Sequence, residues 1–77
     1  MAKGPAALCD EYRLTARQRE IVMLISQGLS NKEIARRVNI SAGTVKVHLV
    51  SIYRKVGVAN RTALTSYVFR NNLAPNG

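Results

Sequence analysis

Hydrophobic positions recur at the three- and four-residue spacing of amphipathic helices in four successive segments of the chain. The first segment begins with Thr15 and Gln18, whose side chains can each satisfy an end N–H group in a capping box, and it stops at Gly28. Its apolar face carries Ile21, Leu24 and Ile25. We expect a first helix over about 16–27.

The second segment is shorter and begins with another capping box, formed by Ser30 and Glu33. Its apolar face carries Ile34, Ala35 and Val38, which predicts a helix of about two turns over 31–38. Asn39 and Ile40 then interrupt the pattern. Asn39 suits the left-handed backbone conformation, so a short turn is expected here.

The third and fourth segments complete an all-α pattern. Ser41 caps the third predicted helix, over 42–56, and Gly57 ends it. Its apolar stripe is Val45, Leu49, Ile52 and Val56. Asn60 caps a fourth predicted helix over 61–72. No alternating run is bounded by turn residues, so we predict a four-helix, bundle-like all-α domain that contains a helix-turn-helix.

The pattern fades at both ends of the chain. Residues 1–13 have no clear period and contain Gly4 and Pro5, so we interpret them as a flexible tail or linker remnant. Residues 74–77 form a second loose end. The predicted domain therefore spans 14–73, and a chain of 77 residues has room for one domain.

Basic residues dominate the second half of the chain. The sequence holds 12 Lys and Arg against 4 Asp and Glu, a net charge of +8, and no acidic residue follows Glu33. Positive potential concentrated on part of a surface suits a polyanion such as nucleic acid. A solvated basic face that keeps the domain soluble is the alternative interpretation, and charge by itself does not separate the two.

Other classes of function lack their characteristic residues. The sequence has no Ser/His/Asp set, carboxylate pair or phosphate-cradling glycine loop, so we expect neither an enzyme nor a cofactor. His48 and Cys9 are too few to ligate Zn²⁺. No run approaches the roughly 18 apolar residues of a membrane span, and we see no signal peptide. One cysteine suits a reducing cytoplasm, which is the expected location.

The second and third predicted helices form the distinctive unit of the chain. A short helix, a turn of about three residues and a longer helix are typical of a helix-turn-helix, whose second helix enters the major groove of DNA. The outer face of the third helix is expected to present Gly43, Val47, Val50 and Arg54, with Lys46 beside them. Exposed valines suit thymine methyl groups, and the two basic side chains can reach guanine or phosphate. Gly43 would let the helix start approach phosphate closely.

Several stretches of the chain share their residues and spacing with a known family. They are Leu14-Thr15-Ala16-Arg17, Gly28-Leu29-Ser30-Asn31-Lys32-Glu33-Ile34-Ala35, Ile40-Ser41, Thr44-Val45-Lys46-Val47-His48, Lys55-Val56-Gly57-Val58 and Asn60-Arg61. Together they resemble the LuxR/FixJ-type (NarL-like) helix-turn-helix. The resemblance implies sequence-specific binding of duplex DNA by the output domain of a bacterial transcription regulator, most often a response regulator. Such domains usually follow a receiver domain or a ligand-binding domain.

The resemblance also implies roles for individual residues. The base-reading positions of the family fall on Lys46, Val47 and Val50. Its contacts to the DNA backbone fall near Ser30, Asn31, Lys32, Thr44 and His48. The fourth helix commonly makes the dimer contact, and we expect that contact at Thr65 and Phe69. Phe69 lies off the apolar stripe, and covering the rim of the core is the alternative interpretation of its position. Pairing is expected to be weak, or to occur only on DNA.

This sequence departs from the family at three places. Gln18 stands where Glu is usual, which keeps the capping box and loses a charge. Val50 stands where a polar or basic residue is common, so the base preference does not transfer. Ala63-Leu64 replaces the usual Glu or Gln followed by Ala, so the surface of the fourth helix, and with it the dimer geometry, does not transfer from the family.

Three other functions compete with this interpretation. The nearest is a different helix-turn-helix protein, such as the promoter-reading domain of a sigma factor. A basic module that docks an acidic protein is a second, although it leaves exposed Val47 and Val50 unexplained. A cationic membrane-active peptide is a third, and the capping boxes and defined helix ends favour a globular fold instead.

Overall fold

The computed structural model describes residues 12–72, which form four α-helices without a strand among them. The helices are α1 (Ala16–Ser26), α2 (Asn31–Val38), α3 (Ala42–Val56) and α4 (Arg61–Asn72). The all-α prediction is confirmed, and α2, α3 and α4 have the predicted bounds. The predicted tail residues 1–11 and 74–77 lie outside the described residues.

The predicted end of α1 at residue 27 was one residue too late. Gln27 is the C-cap of α1, with φ −89° and ψ −1°, and Gly28 follows in the left-handed region with φ 87°. The N–H groups of Gly28 and Leu29 turn back to the carbonyls of Ile25 and Leu24 at 2.9 and 3.2 Å. These bonds satisfy carbonyls that the last helical turn would otherwise leave without a partner.

Each helix begins at a polar residue that accepts a hydrogen bond from the backbone N–H three positions further on. These caps are Thr15, Ser30, Ser41 and Asn60, with N···O distances of 2.9 to 3.2 Å. In α1 and α2 the bond is returned, because the Gln18 and Glu33 side chains accept from the cap N–H groups at 3.0 and 2.8 Å. Both predicted capping boxes are therefore confirmed, and they explain why the helices begin where they do.

The turn of the helix-turn-helix is made by residues 39–41. Asn39 has φ 59°, the left-handed conformation predicted for it, and its N–H group bonds to the Ala35 carbonyl. Ile40 donates to the same carbonyl at 3.0 Å. Since Asn tolerates this conformation better than most side chains, the chain leaves α2 sharply and begins α3 at the Ser41 cap.

The core lies around α3, which packs against each of the other three helices. All of the predicted α3 stripe is buried, and Val45 and Ile52 have no exposed surface. The core consists of Leu14, Ile21, Val22, Leu24, Ile25, Ile34, Ala35, Val38, Val45, Leu49, Ile52, Val56, Leu64 and Val68. Burial of one α3 stripe leaves the opposite side of that helix facing outward.

Tyr12 precedes the domain boundary predicted at Leu14, yet it packs partly buried against the core. Its hydroxyl is hydrogen-bonded to that of Tyr67 on α4, and the two rings meet edge to face with centroids 6.1 Å apart. The segment before α1 is thereby held against the last helix.

Candidate nucleic-acid interface

The outer face of α3 carries two apolar side chains that no core contact accounts for. Val47 is 69% exposed and Val50 is 46% exposed, on the side opposite the buried stripe. Gly43, Lys46 and Arg54 are also exposed on this helix. The structure thus brings all five residues of the predicted groove-facing surface onto the outside of α3, where apolar and basic groups alternate.

The start of α3 is open to a close approach from outside. A Cβ atom added at Gly43 would meet only the Ser41 hydroxyl at 3.8 Å, an ordinary contact, so packing within the chain does not require glycine here. Ser41 also shares a side-chain hydrogen bond with Thr44, at 2.9 Å. The first N–H groups of a helix lack intrahelical acceptors, so this end suits an anion.

The Arg61 side chain links the start of α4 to the start of α2, a contact that the sequence pattern did not reveal. Arg61 donates to Asn31 Oδ1 at 2.7 Å and to the backbone carbonyl of Leu29. The Asn31 oxygen is therefore occupied, and its amide N–H groups are the ones free to point toward an acceptor such as phosphate. Ser30 and Lys32 beside it are exposed.

The sequence contained only a weak signal for this contact. Asn60-Arg61 belonged to the motif that suggested the family, but the bond from Arg61 to Asn31 crosses 30 positions of the chain. Helical periodicity reports which face of one helix is apolar and does not pair polar residues between helices.

The two described acidic residues are both engaged away from the outer face of α3. Glu20 pairs with Arg17 on α1 at 3.4 Å. Glu33 accepts the Ser30 N–H bond at the start of α2, and the backbone and hydroxyl hydrogen bonds from Ser30 hold the pKa of Glu33 below its usual value. The α3 surface itself carries only neutral and basic groups, which favours a negatively charged partner.

Comparison with known proteins decides the family. Residues 12–68 match the family described as bacterial regulatory proteins, luxR family. The chain belongs to the LuxR family. The resemblance predicted from the sequence motifs is thus confirmed, and the match covers all of α1, α2 and α3.

Named relatives of this LuxR-family domain are regulators. It is 61% identical over 53 residues to a protein of Escherichia coli (strain K12) that carries the name HTH-type transcriptional regulator YhjB, covering 69% of this chain and 26% of the relative. It is 55% identical over 53 residues to the monoamine regulon transcriptional regulator of Klebsiella aerogenes, covering 69% and 23%. It is 45% identical over 60 residues to the response regulator protein VraR of Staphylococcus aureus, covering 78% and 29%. The chain spans about a quarter of the length of these relatives.

Two further predicted positions lie on α4 of the LuxR-family domain. Phe69 is 48% exposed, and Thr65, four residues before it, is partly buried. Residues four apart lie on the same side of a helix, so the two belong to one surface. His48, predicted as a backbone contact, is partly buried on α3.

Within 12–72 no group of three or more His, Cys, Asp or Glu side chains is arranged to hold a metal ion. In the same part of the chain, the helices are too short and too polar for one of them to cross a membrane.

Proposed function

We propose that this LuxR-family domain binds duplex DNA sequence-specifically by laying α3 in the major groove. The observation that carries the proposal is the exposure of Val47 and Val50 on a helix whose other side is fully buried. The major groove is about 12 Å wide and accepts one helix. A helix held by a single stripe on the core can present its outer face to the base edges.

In this proposal the outer face of α3 reads bases. Val47 and Val50 contact thymine methyl groups, since they have no polar atom to offer a guanine or cytosine. Lys46 and Arg54 reach the acceptors of guanine or a neighbouring phosphate.

Residues at the starts of α2 and α3 and on the flank of α3 are proposed to contact the phosphates of the DNA backbone. The residues in this group are Ser30, Asn31, Lys32, Gly43, Thr44 and His48. Hydroxyls, amides and the free N–H groups of a helix start are common donors to phosphate, and they set the position of the helix without reading sequence. Arg61 supports the group by occupying the Asn31 oxygen, so that the Asn31 amide donates outward.

The whole protein is proposed to be a cytoplasmic transcription regulator. Because the match covers only about a quarter of each relative, and one of them is named a response regulator, we propose a receiver or ligand-binding domain on the N-terminal side. Two copies are proposed to pair through Thr65 and Phe69 of α4, at least on DNA. The domain itself contributes binding and no catalysis.

Selection from a duplex library with a randomised centre tests this function. The 77-residue chain should enrich one sequence, and the selected duplex should bind more tightly than a scrambled duplex of equal composition. Binding to the scrambled duplex should weaken with salt, with a log–log slope of about −0.9 for each phosphate neutralised. Poly-glutamate tests the alternative function, a basic module that docks an acidic protein, because it offers negative charge without a DNA groove. No enriched sequence, together with equal binding to poly-glutamate, would overturn the proposal.

A further inference from the structure

Gln18 is a polar side chain inside the core region. It is 5% exposed, and it is the one polar residue among those that the structure describes as buried. Burying an amide is unfavourable unless its polar atoms are hydrogen-bonded. Part of that requirement is met at the start of α1, where Gln18 Oε1 accepts from the Thr15 N–H group at 3.0 Å.

The Gln18 amide makes its other hydrogen bonds with residues of α3. Its Nε2 donates to the Ser51 hydroxyl at 3.0 Å, and Lys55 Nζ donates to its Oε1 at 2.9 Å. Lys55 also reaches the carbonyl of Arg13, at 3.4 Å. Ser51 and Lys55 lie four residues apart on one flank of α3. A single buried side chain therefore ties the start of α1 to the second half of α3.

The hydrogen bonds of Gln18 with Ser51 and Lys55, called here the Gln18 bridge, restrain the rotation of α3 about its axis in a way that the apolar stripe does not. Hydrophobic contact is non-directional, so burial of Val45, Leu49 and Ile52 resists separation more than it resists rotation of α3 about its axis. Hydrogen bonds prefer nearly linear geometry and resist such rotation. With side chains reaching about 5–6 Å from a helix axis, a rotation of about 20° moves their tips by about 2 Å. A gap of about 1 Å already removes much of a van der Waals contact.

We propose that Gln18 is a positioning residue, which fixes the rotation of α3 through Ser51 and Lys55 so that Val47 and Val50 reach the base edges. The proposal rests on the proposed DNA-binding function. It predicts that loss of the bridge weakens sequence discrimination more than it weakens general attraction to DNA, because phosphate contacts from long basic side chains tolerate small rotations.

Three variants separate positioning from stability. Gln18→Met keeps the length and burial of the side chain and removes its hydrogen bonds. Thr15→Ala is the matched control, because it removes the cap that accepts the Gln18 N–H group at 3.1 Å and leaves the bridge to α3 in place. Gln18→Glu is the rescue variant, because a carboxylate can accept from the Thr15 N–H group, the Ser51 hydroxyl and Lys55.

The measurement is the ratio of Kd for the scrambled duplex to Kd for the duplex selected by the wild-type chain, taken where urea unfolding shows each variant to be folded. Gln18→Met should lower this ratio about fivefold, the size of one lost apolar base contact. Thr15→Ala should lower the urea midpoint and keep the ratio, and Gln18→Glu should keep the ratio. If Gln18→Met does not fold, Ser51→Ala removes the α3 end of the bridge and should lower the ratio in the same direction.

Two results overturn the inference. One is an unchanged ratio in both Gln18→Met and Ser51→Ala. The other is a loss in Thr15→Ala equal to that in Gln18→Met, which would make stability the cause. A wild-type chain that selects no sequence is a separate failure, since it removes the proposed function and the positioning role with it.

Discussion

The exposure of the two valines on α3 sets how much each can contribute to reading bases. Val→Ala removes about two methylene groups, each worth about 0.8 kcal/mol when fully buried, or about 1.6 kcal/mol in all. Only surface that is exposed in the free domain can be buried by DNA, and this fraction is 69% for Val47 and 46% for Val50. The expected losses are therefore about 1.1 kcal/mol for Val47→Ala and about 0.7 kcal/mol for Val50→Ala, or about sixfold and threefold in Kd.

These substitutions should leave folding intact. Surface changes outside special structural features usually alter stability by less than about 0.5 kcal/mol, and Ala forms helix more readily than Val. A loss of binding is then a loss of contact with DNA. Met23→Ala on α1 is the matched control, because Met23 is also an exposed apolar helical residue, 41% exposed, and lies outside the proposed interface.

Fluorescence-anisotropy titrations with the selected and the scrambled duplex check the prediction, with circular dichroism confirming the helix content. The two Val→Ala variants should weaken binding to the selected duplex, Val47→Ala more than Val50→Ala, and leave the scrambled duplex nearly unchanged. Met23→Ala should change neither. If Val50→Ala weakens both duplexes equally while it remains folded, the outer face of α3 does not face the groove and the assignment of the recognition helix is wrong.

Three further outcomes are expected. Lys32→Ala should weaken binding to the selected and scrambled duplexes alike and reduce the salt slope by about one, since a phosphate contact carries no sequence information; a loss confined to the selected duplex would contradict this role. Because the folded-state pKa of Glu33 is lowered, its contribution to stability is present above the unfolded-state pKa and is lost as the pH falls through the folded-state pKa. Glu33→Gln should therefore show a flatter fall in urea midpoint on acidification than the wild type, and identical pH profiles would refute the assignment. Phe69→Ala combined with Thr65→Arg should abolish pairing of two copies on DNA in sedimentation velocity, whereas a dimer that survives both changes would exclude α4 as the interface.

Local chemistry determined most of the secondary structure of this protein. The starts of the helices follow from bonds between a cap and a residue three positions away, as at Ser30 and Glu33, and such bonds need no tertiary contact. The turn at Asn39 and the end of α3 at Gly57 follow from left-handed backbone preferences, with φ 59° and 84°. The outward position of Val47 could also be predicted from the sequence, because the buried stripe of α3 has strict helical spacing and Val47 lies opposite it.

Only the tertiary structure decided which polar groups meet. The sequence placed Gln18 in the capping box of α1, and it did so correctly, but its bond to Ser51 spans 33 positions. The bond from Arg61 to Asn31 spans 30. Such pairs depend on how helices pack and turn relative to one another, whereas periodicity describes one helix at a time. The caps and the apolar stripe therefore determine that α3 exists and which side it exposes, and the packed fold determines the angle at which that side is held.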